Sequence, residues 1–184
     1  MRLFVAVVPP DAQGTELDAA IGARDEQLRW VPPQQWHLTL VFCGEVGERV
    51  VPELTERLAR AARRTDAFPL SLNGGGSFPR QATRARVLWT GLHGDTATLA
   101  RLAERCAAAA RRSGISLEDR AFRPHLTLAR ARRDTADVRD YVTGLSTYAG
   151  TPWQVESIRL VHSTLGSKVH HATLAEFPLV HHQA

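Results

Sequence analysis

His37-Leu38-Thr39-Leu40 recurs unchanged as His125-Leu126-Thr127-Leu128. Each copy reads as part of a strand, continued by Val41 and Phe42 in the first and by Ala129 in the second. Side chains alternate along a strand, so residues two apart share a face. His37 then lies beside Thr39, and His125 beside Thr127, with leucines on the reverse face against a core. If the copies face each other, two imidazoles and two hydroxyls line one cleft. An imidazole has an unperturbed pKa of roughly 6.5, so it gives or takes a proton near neutrality. Attack on a phosphodiester needs both events: the nucleophile loses a proton and the leaving oxygen gains one. One imidazole on each side of phosphorus does both jobs, and each typically contributes about 10²–10⁴-fold. The threonine hydroxyls can donate to the non-bridging oxygens as charge builds there. Such a set requires no metal.

The surrounding chain must supply elements that hold these residues. Residues 2–8 form an apolar run stopped by Pro9-Pro10, which predicts a buried strand. Asp11 reads as an N-cap for a helix to about residue 27. Trp30-Val31-Pro32-Pro33 reads as an extended connection, because proline keeps its predecessor out of the helical region. Residues 36–43 make the first motif strand, and a helix over 49–64 turns Val50, Leu54, Leu58 and Ala61 or Ala62 inward. A short strand over 68–72 leads into Asn73-Gly74-Gly75-Gly76-Ser77, expected as a flexible loop. A strand over 86–92 precedes a helix from Asp95 or Thr96 to about 112, stopped by Gly114. The second motif strand runs over 125–130, a short helix over 135–145, and strands 155–163 and 169–177 pair as a hairpin.

The two halves match in element order. Strand, helix cap and motif histidine occur as 2–8, Asp11, His37, and again as 86–92, Asp95, His125. Cap and histidine are 26 residues apart in the first half and 30 in the second. A helix and then a strand follow each motif. This is an internal duplication. It is expected to assemble with approximate two-fold symmetry and so to bring together histidines 88 residues apart. Residues 1–184 are read as one bilobal domain, with motif one in the N-terminal half and motif two in the C-terminal half.

Formal net charge is +4, and nearly all the positive charge is arginine, Lys168 being the one lysine. Arginine binds phosphate bidentately, so an RNA partner fits; genomic base composition explains the same excess. Cys43 and Cys106 form no paired motif and read as buried thiols in a reducing compartment. The N-terminal apolar run is too short for a signal segment, and no stretch is long enough to span a membrane. A cytoplasmic monomer, with no membrane partner, is expected.

The two motifs resemble the paired HxTx motifs of the two-histidine (2H) phosphoesterase superfamily. Arg2-Leu3-Phe4-Val5-Ala6, Trp30-Val31-Pro32, Phe42-Cys43-Gly44-Glu45 and Phe122-Arg123-Pro124 extend the likeness to the RNA 2′,3′-cyclic phosphodiesterases, the LigT-like group formerly called 2′-5′ RNA ligases. The resemblance covers essentially the whole chain. It implies an α/β (α+β) fold, bilobal, with two antiparallel sheets around a central cleft flanked by helices. It implies hydrolysis of an RNA or nucleotide 2′,3′-cyclic phosphate to a 2′-phosphomonoester, with no metal and no cofactor. By the same resemblance His37 is the proton donor, His125 the proton acceptor, and Thr39 and Thr127 hold the phosphate. The alternatives are another cyclic phosphate, reversible 2′-5′ RNA ligation, a metal-dependent hydrolase, or a non-catalytic RNA-binding module. Cys43 stands where the family often has leucine.

Other residues carry two readings each. Phe42 stacks on a base at the cleft, or joins Leu38 and Leu40 in the core as strict alternation demands. Arg130 reaches phosphate only if a bulge or strand end turns it round, because regular alternation aims it away from His125. His170-His171 and His181-His182 are poor chelators, since neighbours on a strand point to opposite faces. The tail pair is expected to be disordered. Arg57, Arg60, Arg63 and Arg64, with Arg159 and Lys168, steer RNA or merely solvate the surface.

Overall fold

Nine strands and four α-helices occupy the described residues, 1–183, of the computed structural model. β1 (Arg2–Val7) is buried on both faces, which is why it reads as an unbroken apolar run. Leu3, Val5 and Val7 enter the main core, while Phe4 and Ala6 pack with Val161 on the opposite face. α1 (Asp11–Ile21) starts after Pro10, not with Asp11 as its cap. It also ends before residue 27, because Gly22 at φ 71° turns the backbone out of the helix. The segment read as a connection contains β2 (Leu28–Trp30).

β3 (Leu38–Glu45) is the first motif strand and α2 (Val51–Ala62) follows it. β4 (Phe68–Phe78), β5 (Val87–Gly94), α3 (Thr96–Arg112) and β6 (Leu126–Ala131), the second motif strand, come next. The chain closes with α4 (Arg139–Leu145), β7 (Trp153–Val155), β8 (Ser157–Thr164) and β9 (His170–Pro178). Asp95 does cap α3, its carboxylate accepting the Thr98 N–H at 3.0 Å.

The strand order is β7-β4-β5-β6-β3-β1-β8-β9, with β2 also on β6. All pairings are antiparallel. The expected two sheets are the halves β7-β4-β5-β6 and β3-β1-β8-β9. They join through a single register pair, Leu38 opposite Leu126. The two-fold relation is plain in that order, with β3 matching β6, β1 matching β5, β8 matching β4, and β9 matching β7. The strand after each motif crosses over: β4 lies beside β5, and β8 beside β1. Each sheet therefore needs strands from both halves of the chain. α3 packs behind β3, and α2 behind β8 and β9, on the face away from the motif histidines.

The glycine run is not a flexible loop. β4 continues through it to Phe78, with an irregularity between Asn73 and Gly76. A Cβ on Gly76 would sit 2.3 Å from the Trp89 ring, and one on Gly75 2.7 Å from Leu145 Cβ. The glycines let these side chains lie flat on the strand backbone. Gly76→Ala is therefore expected to lower unfolding stability by about 1–3 kcal/mol. Denaturant titration checks this, and an unchanged midpoint would contradict it. The chain end is also held, correcting the expected disorder: the Val180 N–H donates to Thr65 O, and His182 Nε2 lies 2.9 Å from Asp66 Oδ1. No helix among the described residues is long and apolar enough to cross a membrane. Cys43 and Cys106 are free and buried.

Candidate active site

Each motif histidine sits one residue before its strand, next to the Leu38–Leu126 pair. The antiparallel register set by that pair runs His37 against Thr127 and Thr39 against His125. One local device fixes both imidazoles. His37 Nδ1 donates to Gln35 O at 2.7 Å, and His125 Nδ1 donates to Arg123 O at 2.6 Å. A carbonyl only accepts, so each Nδ1 carries the hydrogen and each neutral Nε2 has a free lone pair. At His37 that lone pair accepts from the Thr39 hydroxyl at 3.1 Å.

Both motif strands carry a bulge three residues after the histidine. Ala6 pairs with Thr39 but Val5 with Val41, so Leu40 is the extra residue. Trp89 pairs with Thr127 but Leu88 with Ala129, so Leu128 is the extra residue. A bulge reverses the alternation beyond it. It turns Phe42 to the face of His37 and Thr39, and Arg130 to the face of His125 and Thr127. The core placement of Phe42 is thus corrected: it is 48% exposed. It lies opposite Phe4 and carries the Arg2 guanidinium 4.6 Å above its ring. Arg130 is exposed at the matching position of the second motif.

Aromatic rings wall the two imidazoles. Phe4 stacks on His37 at 4.6 Å between centroids, and His171 meets His37 edge-on at 5.4 Å. Phe78 meets His125 edge-on at 4.9 Å, with Trp89 at 6.3 Å. Dismissing the His170-His171 pair as a chelator overlooked this. The alternation that keeps the pair from chelating also sends one member, His171, to the cleft. Phe4, Phe78 and Trp89 were legible only as strand residues.

Burial pushes the His37 imidazole down to about 4, and the positive charges of His171, His125 and Arg130 act in the same direction. The Gln35 carbonyl opposes this weakly. His125 is lowered by burial and then by Arg130, against the Arg123 carbonyl. The empty site is therefore two neutral imidazoles under a guanidinium, a setting that attracts an anion. Among the described residues, no three His, Cys, Asp or Glu side chains cluster as metal ligands would.

Residues 9–167 match the sequence model of the 2′-5′ RNA ligase superfamily. The chain belongs to that superfamily. Relatives within it align over most of their length. The RNA 2′,3′-cyclic phosphodiesterase of Archaeoglobus fulgidus is 32% identical over 170 residues, 91% of this chain and 94% of that one. A crystal structure from Thermus thermophilus superposes with a TM-score of 0.78 at 32% identity, covering 97% of this chain and 98% of that one. Escherichia coli LigT, solved with 3′-AMP, gives a TM-score of 0.76 at 27% identity over 97% of both chains. The bilobal α/β fold implied by the two motifs is the fold of this superfamily member.

Proposed function

We propose that this chain hydrolyses 2′,3′-cyclic phosphate ends of RNA to 2′-phosphomonoesters, without a metal or other cofactor. The observation that carries this reading is the repeated one: two motif imidazoles, each with Nδ1 pinned to a backbone carbonyl two residues back, present Nε2 to one space. An RNA-binding module would not need two fixed tautomers. The A. fulgidus relative's activity and the 3′-AMP held by LigT support a nucleotide phosphate as the occupant.

In the proposed reaction His125 Nε2 takes a proton from water as its oxygen attacks phosphorus. The bond from phosphorus to O3′ breaks, and His37 Nε2–H gives its proton to O3′. His125 ends protonated and His37 neutral, and exchange with solvent resets both. Protonating His37 also converts Nε2 from acceptor to donor. That frees the Thr39 hydroxyl to rotate and donate to a phosphate oxygen, as Thr127 does from the other strand. Arg130 balances the phosphate charge, and Phe42 offers a face for the terminal base. The chain acts as one bilobal unit, a cytoplasmic monomer. The buried thiols of Cys43 and Cys106 fit a reducing compartment.

The lowered imidazoles give a pH test. kcat/KM reports the free enzyme, in which one imidazole must be protonated and the other neutral. Both lie below the ordinary histidine value, so the kcat/KM bell should peak on the acid side of about pH 6.5. Above its upper limb kcat/KM should fall about tenfold per pH unit. Bound phosphate anion favours the imidazolium, so the kcat bell should sit at higher pH than the kcat/KM bell. A kcat/KM that rises between about pH 6 and 8 on a cyclic-phosphate dinucleotide would contradict the reading.

A further inference from the structure

Behind the sheet, α2 and α3 run side by side and enclose a groove of about 440 Å³. Arg57, Arg60 and Arg64 line one wall, and Arg101, Arg105 and Arg112 the other. The spacing explains the convergence. Residues three, four or seven apart share a helix face, and the arginines repeat at such intervals on both elements. Ala61, Ala108 and Ala109 lie between them. Their short side chains leave room for a group to reach the floor.

Charge is what makes this groove unusual. Its lining sets six arginines against one carboxylate, Glu104. That excess is larger than the +4 of the whole chain, so the rest of the molecule carries no net positive charge. An arginine excess from base composition would be scattered; this one is gathered. Arg57 and Arg60 have i,i+4 partners in Glu53 and Glu56, exposed pairs of small worth. Arg105 donates to Arg64 O and Thr65 Oγ1, both at 2.8 Å. Arg64, Arg101 and Arg112 have no carboxylate partner among the described residues. Facing stripes of like charge cost stability. A fold keeps such a conflict where an anion relieves it.

We propose that this groove is a second RNA site, holding the phosphodiester backbone upstream of the end that enters the cleft. The inference rests on the phosphodiesterase reading for the identity of the anion. Guanidinium groups grip phosphate oxygens in pairs, and such contacts position a strand without reading its sequence. The groove and the motif face lie on opposite sides of the sheet, so a strand must pass round its edge to occupy both. A dinucleotide cannot do so.

The test compares wild type with R64Q/R101Q/R112Q, three exposed positions outside the cleft, after circular dichroism shows both folded. The binding probe is a single-stranded RNA of about 20 nucleotides with an ordinary 3′-hydroxyl end, titrated between about 50 and 200 mM salt. The triple variant should bind it at least about tenfold more weakly, and the slope of log K against log salt should shrink by about 2. On an RNA of the same length ending in a cyclic phosphate, KM should rise; on a cyclic-phosphate dinucleotide, kcat/KM should not move. Equal affinity and equal salt slope for the two proteins would overturn the groove. Loss of binding in the variant, with no turnover of either cyclic substrate by wild type, would keep the groove and overturn the phosphodiesterase reading instead.

Discussion

Replacing His37 or His125 by alanine is expected to lower kcat on a cyclic-phosphate substrate by about 10²–10⁴-fold each, the usual worth of one positioned acid or base. Their effects should not multiply. Each imidazole handles one end of a single displacement, so removing the first leaves little for the second to assist. The double variant should therefore be nearly as active as the slower single one. Folding should survive, because both histidines precede their strands and only their Nδ1 bonds to Gln35 and Arg123 are lost. A folded H37A or H125A that keeps more than about a tenth of wild-type kcat would remove that histidine from the proton-transfer step.

Arg130→Leu is expected to lower kcat by about 10²–10³-fold, the loss seen when one donor to a developing oxyanion is removed. The same variant has a second signature. The Arg130 charge holds both imidazoles down, so removing it should move the kcat/KM bell toward higher pH. Arg130→Lys separates the two effects. It keeps the charge and so the position of the bell, but loses the planar fork that matches phosphate, and should recover only part of the rate. An unshifted bell and an unchanged kcat in Arg130→Leu would show that the guanidinium points away from the reacting phosphate.

The motif pair was readable because it rests on period two: His37 and Thr39 share a face, as do His125 and Thr127, and the duplication supplied their meeting. The residues just beyond were not readable, for one reason. A bulge at Leu40 and another at Leu128 reverse the alternation that was projecting Phe42 inward and Arg130 outward. A bulge depends on the register of two strands and is invisible in one. The glycine run of β4 misled in a similar way. Asn73-Gly74-Gly75-Gly76 has the composition of a loop, but its glycines answer to Trp89 and Leu145, residues far along the chain. The crossing of β4 and β8 between sheets also lies beyond local pattern. His171 reached the cleft through the register of β9 on β8, which places it opposite Ser163.

The most direct test of the two-histidine reading is the end group of the product. Wild type, in excess chelator, is given an RNA ending in a 2′,3′-cyclic phosphate, with H37A and H125A run beside it. The account predicts a 2′-phosphate and a free 3′-hydroxyl from wild type at a rate the chelator does not change, and almost none from either folded variant. A 3′-phosphate product, or turnover that stops with chelator, would contradict it.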